Sequence, residues 1–146
     1  MPPNLTLHVL PGEFAVCRLP GNAPLPTWAH LNVTGPAAPP FVSVTRAGSE
    51  LSVVLPAEHM PTDAHAERGW RCLGILGPLE FSLVGVVAGI SGALAAAGLS
   101  VFVVSTYDTD YILVRAAKLH EAISALARSG YSVRSDPVTH FSHDAP

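Results

Sequence analysis

Two carboxylates, Asp108 and Asp110, end an uncharged run that begins at Phe81 and continues to Tyr107. Near its start, Ser82-Leu83-Val84-Gly85 has the composition of a strand passing into a helix. A helix that begins there presents backbone N–H groups without intrahelical partners, in a field that favours an anion. Gly85 lets a ligand approach that backbone closely. The loop Thr106-Tyr107-Asp108-Thr109-Asp110 follows on the next strand, and its carboxylates can receive a cation. An anion trap beside a cation trap suits a free α-amino acid, with amide hydrogens for its carboxylate and a carboxylate for its ammonium. The plain alternative is that Ser82 and Gly85 only cap a helix while Asp108 and Asp110 only make a turn.

Other chemistry finds few residues to use. There is no GxSxG, no HExxH, no P-loop and no GxGxxG after a strand, so no catalytic residue is assigned. A small enzyme using Asp108 or Asp110 as a base lacks a second catalytic group. His140 and His143 form an HxxH without a third ligand, which is a solvated pair rather than a tetrahedral metal site. His8 and His120 are expected at outward positions of a strand and a helix. Cys17 and Cys72 form no CxxC and are expected to be buried free thiols. Neither metal nor cofactor is implied.

The bulk numbers narrow the partners. Of the 146 residues only 13% are charged, roughly half of the ~25% usual in soluble domains, so part of the surface is expected to be covered, with oligomerisation the first explanation. Eight Lys and Arg against eleven Asp and Glu leave little for the counterion release that drives nucleic-acid binding. The run from 81 to 107 is long enough for a membrane span, but Gly98-Leu99-Ser100 interrupts it, β-branched residues follow, and no Lys or Arg flanks it closely. It divides instead into a turn, a buried helix and a buried strand. Met-Pro-Pro-Asn lacks signal-peptide features, and a cytoplasmic protein is expected.

The elements follow from local pattern. Strands are expected over 5–9, 13–19, 41–46 and 51–55, the last two forming a hairpin around Ala47-Gly48-Ser49-Glu50. Residues 57–67 are expected as a loop or frayed turn, and 70–76 and 78–83 as strands. Val86, Ile90, Leu94 and Ala97 recur at helical spacing with Gly98 in the C′ place. Residues 100–106 resemble an interior strand and 110–115 a second one. Leu119, Ile123 and Leu126 mark a helix over 118–129 that ends at Gly130, before a last strand over 131–134 and a tail. The second half thus spells strand, helix, strand, strand, helix, strand, the split βαβ order of ferredoxin-like folds. The first half repeats it with both helices reduced. The expectation is an α+β protein of two βαββαβ units, residues 1–67 and 68–136, with a tail at 137–146.

The segment STYDTDYILV at 105–114, preceded by GVVAGISGALAAAGLSVFVVS from Gly85, resembles ACT domains of the tandem-ACT branch. That branch includes the cytosolic arginine sensors of animals (CASTOR proteins) and relatives of the aspartokinase regulatory region. The resemblance implies a non-catalytic regulatory module that binds small effectors, usually amino acids, between ACT units. Carried over to this chain, it implies a ligand site at Leu83, Val84, Gly85 and Val86 on one side and Thr106, Tyr107, Thr109 and Asp110 on the other. Asp110 would meet the effector's ammonium group, and Gly89 and Ile90 would face a second ACT unit. In the arginine sensors an acidic residue precedes the glycine; here Leu83 and Val84 stand there, so a neutral or apolar amino acid fits better. The sensors carry four ACT units in one chain, so two units imply a homodimer. The other reading is an ACT fold without effector, serving as a dimerisation or docking module for a partner enzyme.

Overall fold

The computed structural model describes residues 5–77 and 84–135. The strand expected over 78–83, the Ser82 cap and the HxxH of the tail lie outside them. Among the described residues the order is β1 (Thr6–Val9), β2 (Phe14–Pro20), β3 (Ser43–Ala47), β4 (Glu50–Pro56), β5 (Ala66–Ile75), α1 (Val86–Ala96), β6 (Val101–Ser105), β7 (Asp110–Arg115), α2 (Leu119–Arg128) and β8 (Ser132–Arg134). Short 3-10 turns occupy Thr27–Ala29, Ala57–His59 and Ala116–Lys118. The fold is α+β, as the sequence pattern predicts.

One ladder organises the molecule. β1 and β2 run in succession along the same edge of β5, antiparallel to it, from Leu7 opposite Ile75 to Cys17 opposite Ala66. The register shifts between Phe14 and Val16. Such an irregularity bends a ladder and increases its twist. At the β2 end the sheet continues to give the order β5-β2-β4-β3, with 3-10 turns where helices would cross. That is the strand order of a ferredoxin-like unit stripped of its helices. At the β1 end the order is β8-β1-β5-β7-β6. β5 therefore joins the two halves of one eight-stranded sheet, called below the first and second sheets, and the division expected after residue 67 falls inside it. The N-terminal strand β1 lies between β5 and β8 in the second sheet.

Alternation along these strands builds the core on two faces. Leu7, Val9, Leu73, Ile75, Ile112 and Val114 meet α1 through Val86, Ile90 and Leu94, and α2 through Ala122, Ala125 and Leu126. On the opposite face Cys72, Leu113 and Trp70 pack against Phe14, Phe41 and Val54 of the first half. Both helices end alike. Gly98 and Gly130 take positive φ, and their N–H groups donate to Ala95 and Ala127. The next residues, Leu99 and Tyr131, donate to the carbonyls of Leu94 and Leu126 and bury their side chains with them. These are Schellman closures with their hydrophobic contacts, and each needs a left-handed residue that only glycine supplies cheaply.

Three expectations are corrected. The strand over 100–106 is not interior: β6 pairs with β7 alone among the described strands, and Val101 to Val104 are half-buried. Its lack of charge reflects packing on both faces, not neighbours on both edges. His8 does not face outward but is 2% exposed. Gly74, opposite it on β5, has no side chain, and a Cβ there would lie 3.2 Å from the His8 ring and 3.1 Å from Tyr111. The imidazole occupies that room. In α2 the buried centre is Ala122, Ala125 and Leu126, while Leu119 and Ile123 are half-buried. Cys17 and Cys72 are both buried free thiols, as expected.

Candidate functional site

The described site residues of the sequence analysis fall on two segments, the start of α1 and the turn between β6 and β7. β5 ends at Ile75 and α1 begins at Val86, while β6 ends at Ser105 and the chain turns back at Asp110. Gly74 opposite Tyr111 and Ser105 opposite Asp110 set these ends level. Gly85 is the N-cap residue of α1, with φ +81° and no side-chain cap. The first helical bond runs from Gly89 N–H to Gly85 C=O, so the helix start offers N–H groups that make no intrahelical bond. Val84 is 93% exposed, whereas Val86 is buried in the helix-side core. Leu83 lies outside the described residues. Gly89, on the exposed side of α1, leaves room for the Tyr131 hydroxyl, 2.5 Å from where a Cβ would stand. Ile90, fully buried, faces the core rather than a partner.

The β6–β7 loop is held from within. Thr106 N–H donates to the Thr109 carbonyl at 2.8 Å, and the Thr106 hydroxyl donates to the same oxygen at 3.1 Å. Thr109 is buried, and its hydroxyl donates to the Ile75 carbonyl at 2.7 Å. Tyr107 is 82% exposed, and Asp110 is half-buried. Asp108 lies near the Tyr111 phenol, whose pKa is raised by burial first, then by Cys72 and Asp108. Of the predicted residues, therefore, Val84, Gly85, Thr106, Tyr107 and Asp110 keep accessible surface, and Thr109 positions the loop.

A second feature was not read from the sequence. A cavity of about 560 Å3 is lined by Phe102 to Ser105 of β6 and by Arg18, Ser43, Thr45, Glu50 and Ser52 of the first half. None of the predicted residues among those described lines it. Its components come from four separate stretches between Val16 and Ser105 and carry no motif. Among the described residues no cluster of three or more His, Cys, Asp or Glu is grouped to hold a metal, and no helix is long and apolar enough to cross a membrane.

An ACT-domain family model matches residues 65–128, the segment that carries β5 through α2. The chain is an ACT-domain protein. A second family model, described as an N-terminal domain, matches residues 12–63. The mouse protein named cytosolic arginine sensor for mTORC1 subunit 1 is 31% identical over 132 residues, 89% of this chain and 38% of its own length. The chain thus spans little more than a third of such curated relatives. A crystal structure of an Agobacterium tumefaciens protein superposes with a TM-score of 0.82 at 34% identity, over 92% of this chain and 95% of that one. The ligand-free regulatory subunit of aspartate kinase from Thermus thermophilus shares the fold, with a TM-score of 0.55 and 12% identity over 80% of this chain and 91% of that subunit.

Proposed function

We propose that this ACT-domain protein is a non-catalytic cytoplasmic regulator that binds a free amino acid with a neutral or apolar side chain where ACT units meet. The observation that carries the reading is the start of α1 at Gly85, which has no side-chain cap, taken with the Asp110 carboxylate where β6 turns back into β7. In this reading the N–H groups at Gly85 and Val86 hold the effector's carboxylate, and Asp110 holds its ammonium. Leu83 and Val84 contact its side chain, Thr106 and Tyr107 form the opposite wall, and Thr109 fixes that wall to β5. The relatedness to an arginine sensor and the fold shared with an aspartate kinase regulatory subunit support a regulatory role sensing amino acids. Two ACT-like units, residues 1–67 and 68–136, make up the chain in this proposal, with 137–146 as a tail.

Val84 and Tyr107, both large, apolar and exposed, are in this proposal the surface that a second copy covers in a homodimer. The same two residues equally suit the second reading, an effector-free module that dimerises or docks on a partner enzyme. Thermal-shift measurements with the common amino acids separate the two. A ligand at a hundred times its Kd adds about 2.7 kcal/mol of stability, and Asp110→Asn is expected to reduce that gain. If no amino acid moves the midpoint at millimolar concentration, the effector-free reading stands. Unchanged affinity in Asp110→Asn removes the ammonium role from Asp110.

A further inference from the structure

The cavity between β6 and the first half lies on the side of the sheet opposite α1 and α2, where Phe102 and Val104 pack with Trp70, Cys72 and Leu113. Residues directly opposite one another in antiparallel strands turn their side chains to the same face. Val16 stands opposite Val54, which stands opposite Ser43, and Arg18 stands opposite Ser52, which stands opposite Thr45. The floor is therefore two rows across three strands, one mostly apolar and the other wholly polar. Each row spans roughly 10 Å, twice the ~4.8 Å spacing of neighbouring strands. Phe102, with its ring 6.2 Å from that of Trp70, and Val104 form an apolar wall beside them. The volume of about 560 Å3 falls inside the ~300–1,000 Å3 of small-molecule sites.

We infer that this cavity binds a small, neutral, polyhydroxylated molecule, a monosaccharide or cyclitol, with its hydroxyl edge on the Arg18-Ser52-Thr45 row and its C–H face on Phe102 and Val104. Neutrality follows from the charges at the cavity. Each lining carboxylate has a cation beside it, Glu50 with Arg18 at 3.9 Å and Glu67 with Arg115 at 3.6 Å. A ligand with net charge leaves one member of such a pair without its partner, and a neutral ligand does not. Both pairs lie in solvent, where such contacts are weak, and Arg18 reaches the Ser49 carbonyl only at 3.5 Å. Its planar fork can thus turn to two adjacent oxygens of a ligand. The hydroxyls of Ser43, Thr45 and Ser52 each donate and accept, and so does every hydroxyl of a polyol. This inference does not rest on the amino-acid reading, because the cavity shares no residue with the site at Gly85 and Asp110.

Titration of the full chain by NMR with glucose, galactose, ribose and myo-inositol tests the inference. At least one of them is expected to shift the backbone amides of Thr45, Ser52 and Val104 and the Trp70 indole together, while those of Gly85 and Val86 stay in place. Glucosamine and gluconate, which add one charge to the same frame, are expected to bind more weakly than glucose. Thr45→Val removes one hydroxyl from an exposed position and should weaken binding about three- to tenfold. Arg18→Gln leaves Glu50 without its cation and should move the preference from glucose toward glucosamine. The inference is overturned if no member of the panel shifts these amides at millimolar concentration, or if Thr45→Val and Arg18→Gln leave affinity and preference unaltered. It is equally overturned if charged sugars or free amino acids shift the same amides at lower concentration than every neutral polyol.

Discussion

Replacing Thr109 by Val isolates one hydrogen bond that ties the β6–β7 loop to the sheet. Thr109 is 6% exposed, and its hydroxyl donates to the Ile75 carbonyl at 2.7 Å. Valine keeps the branched shape and loses only the donor. The loss lies between about 1 kcal/mol, the net worth of an ordinary hydrogen bond, and about 3 kcal/mol, the cost of stranding a buried acceptor. At roughly 2–4 °C per kcal/mol for a chain near this size, the melting point should fall by roughly 2–12 °C. Urea titration should show a lower midpoint with an unchanged slope, because the surface exposed on unfolding is the same. Thr109→Ser, which keeps the hydroxyl, should recover most of the difference. A change below about 0.5 kcal/mol in Thr109→Val, within the range of ordinary surface substitutions, refutes the anchoring role.

Other perturbations follow from packing and backbone geometry. Leu94 is fully buried between α1 and the sheet, and Leu94→Ala should cost about 2–5 kcal/mol in the same titration. Gly98 has φ +77° with open space around the site of a Cβ, so Gly98→Ala should cost about 1–2 kcal/mol through backbone strain alone. An unchanged urea midpoint in that variant contradicts the left-handed closure of α1. Burial, and then the Arg134 guanidinium, hold the His8 pKa below its ordinary value of 6.5. The unfolded chain therefore takes up a proton at His8 before the folded one does, so stability should be undiminished above about pH 6.5 and fall as the pH drops below it. His8→Gln should flatten that part of the pH–stability profile, and an unaltered slope assigns it to other groups.

Local structure was legible where a few neighbouring residues decide it. The β3–β4 hairpin follows from alternation on either side of Gly48-Ser49, and both helix ends follow from Gly98 and Gly130 placed after apolar stripes. The loop carrying Asp108 and Asp110 was legible for the same reason, since only a turn fits between two β-branched runs. Sequence alone therefore determined the α+β class and, among the described residues, most of the element order.

Tertiary structure decided which strands became neighbours. Nothing local marks β1 for the place between β5 and β8, because that pairing joins residues at opposite ends of the chain. The same is true of β6, whose uncharged, β-branched sequence describes its two faces and carries no information about its edges. His8 went inward because Gly74, far away in sequence, leaves room beside Tyr111. The cavity beside β6 exists only because residues of the first half, Arg18, Ser43 and Ser52 among them, come to lie next to Phe102 to Ser105. Side-chain periodicity records what each face touches, whereas pairing along an edge is made by the backbone, which is the same in every residue but proline.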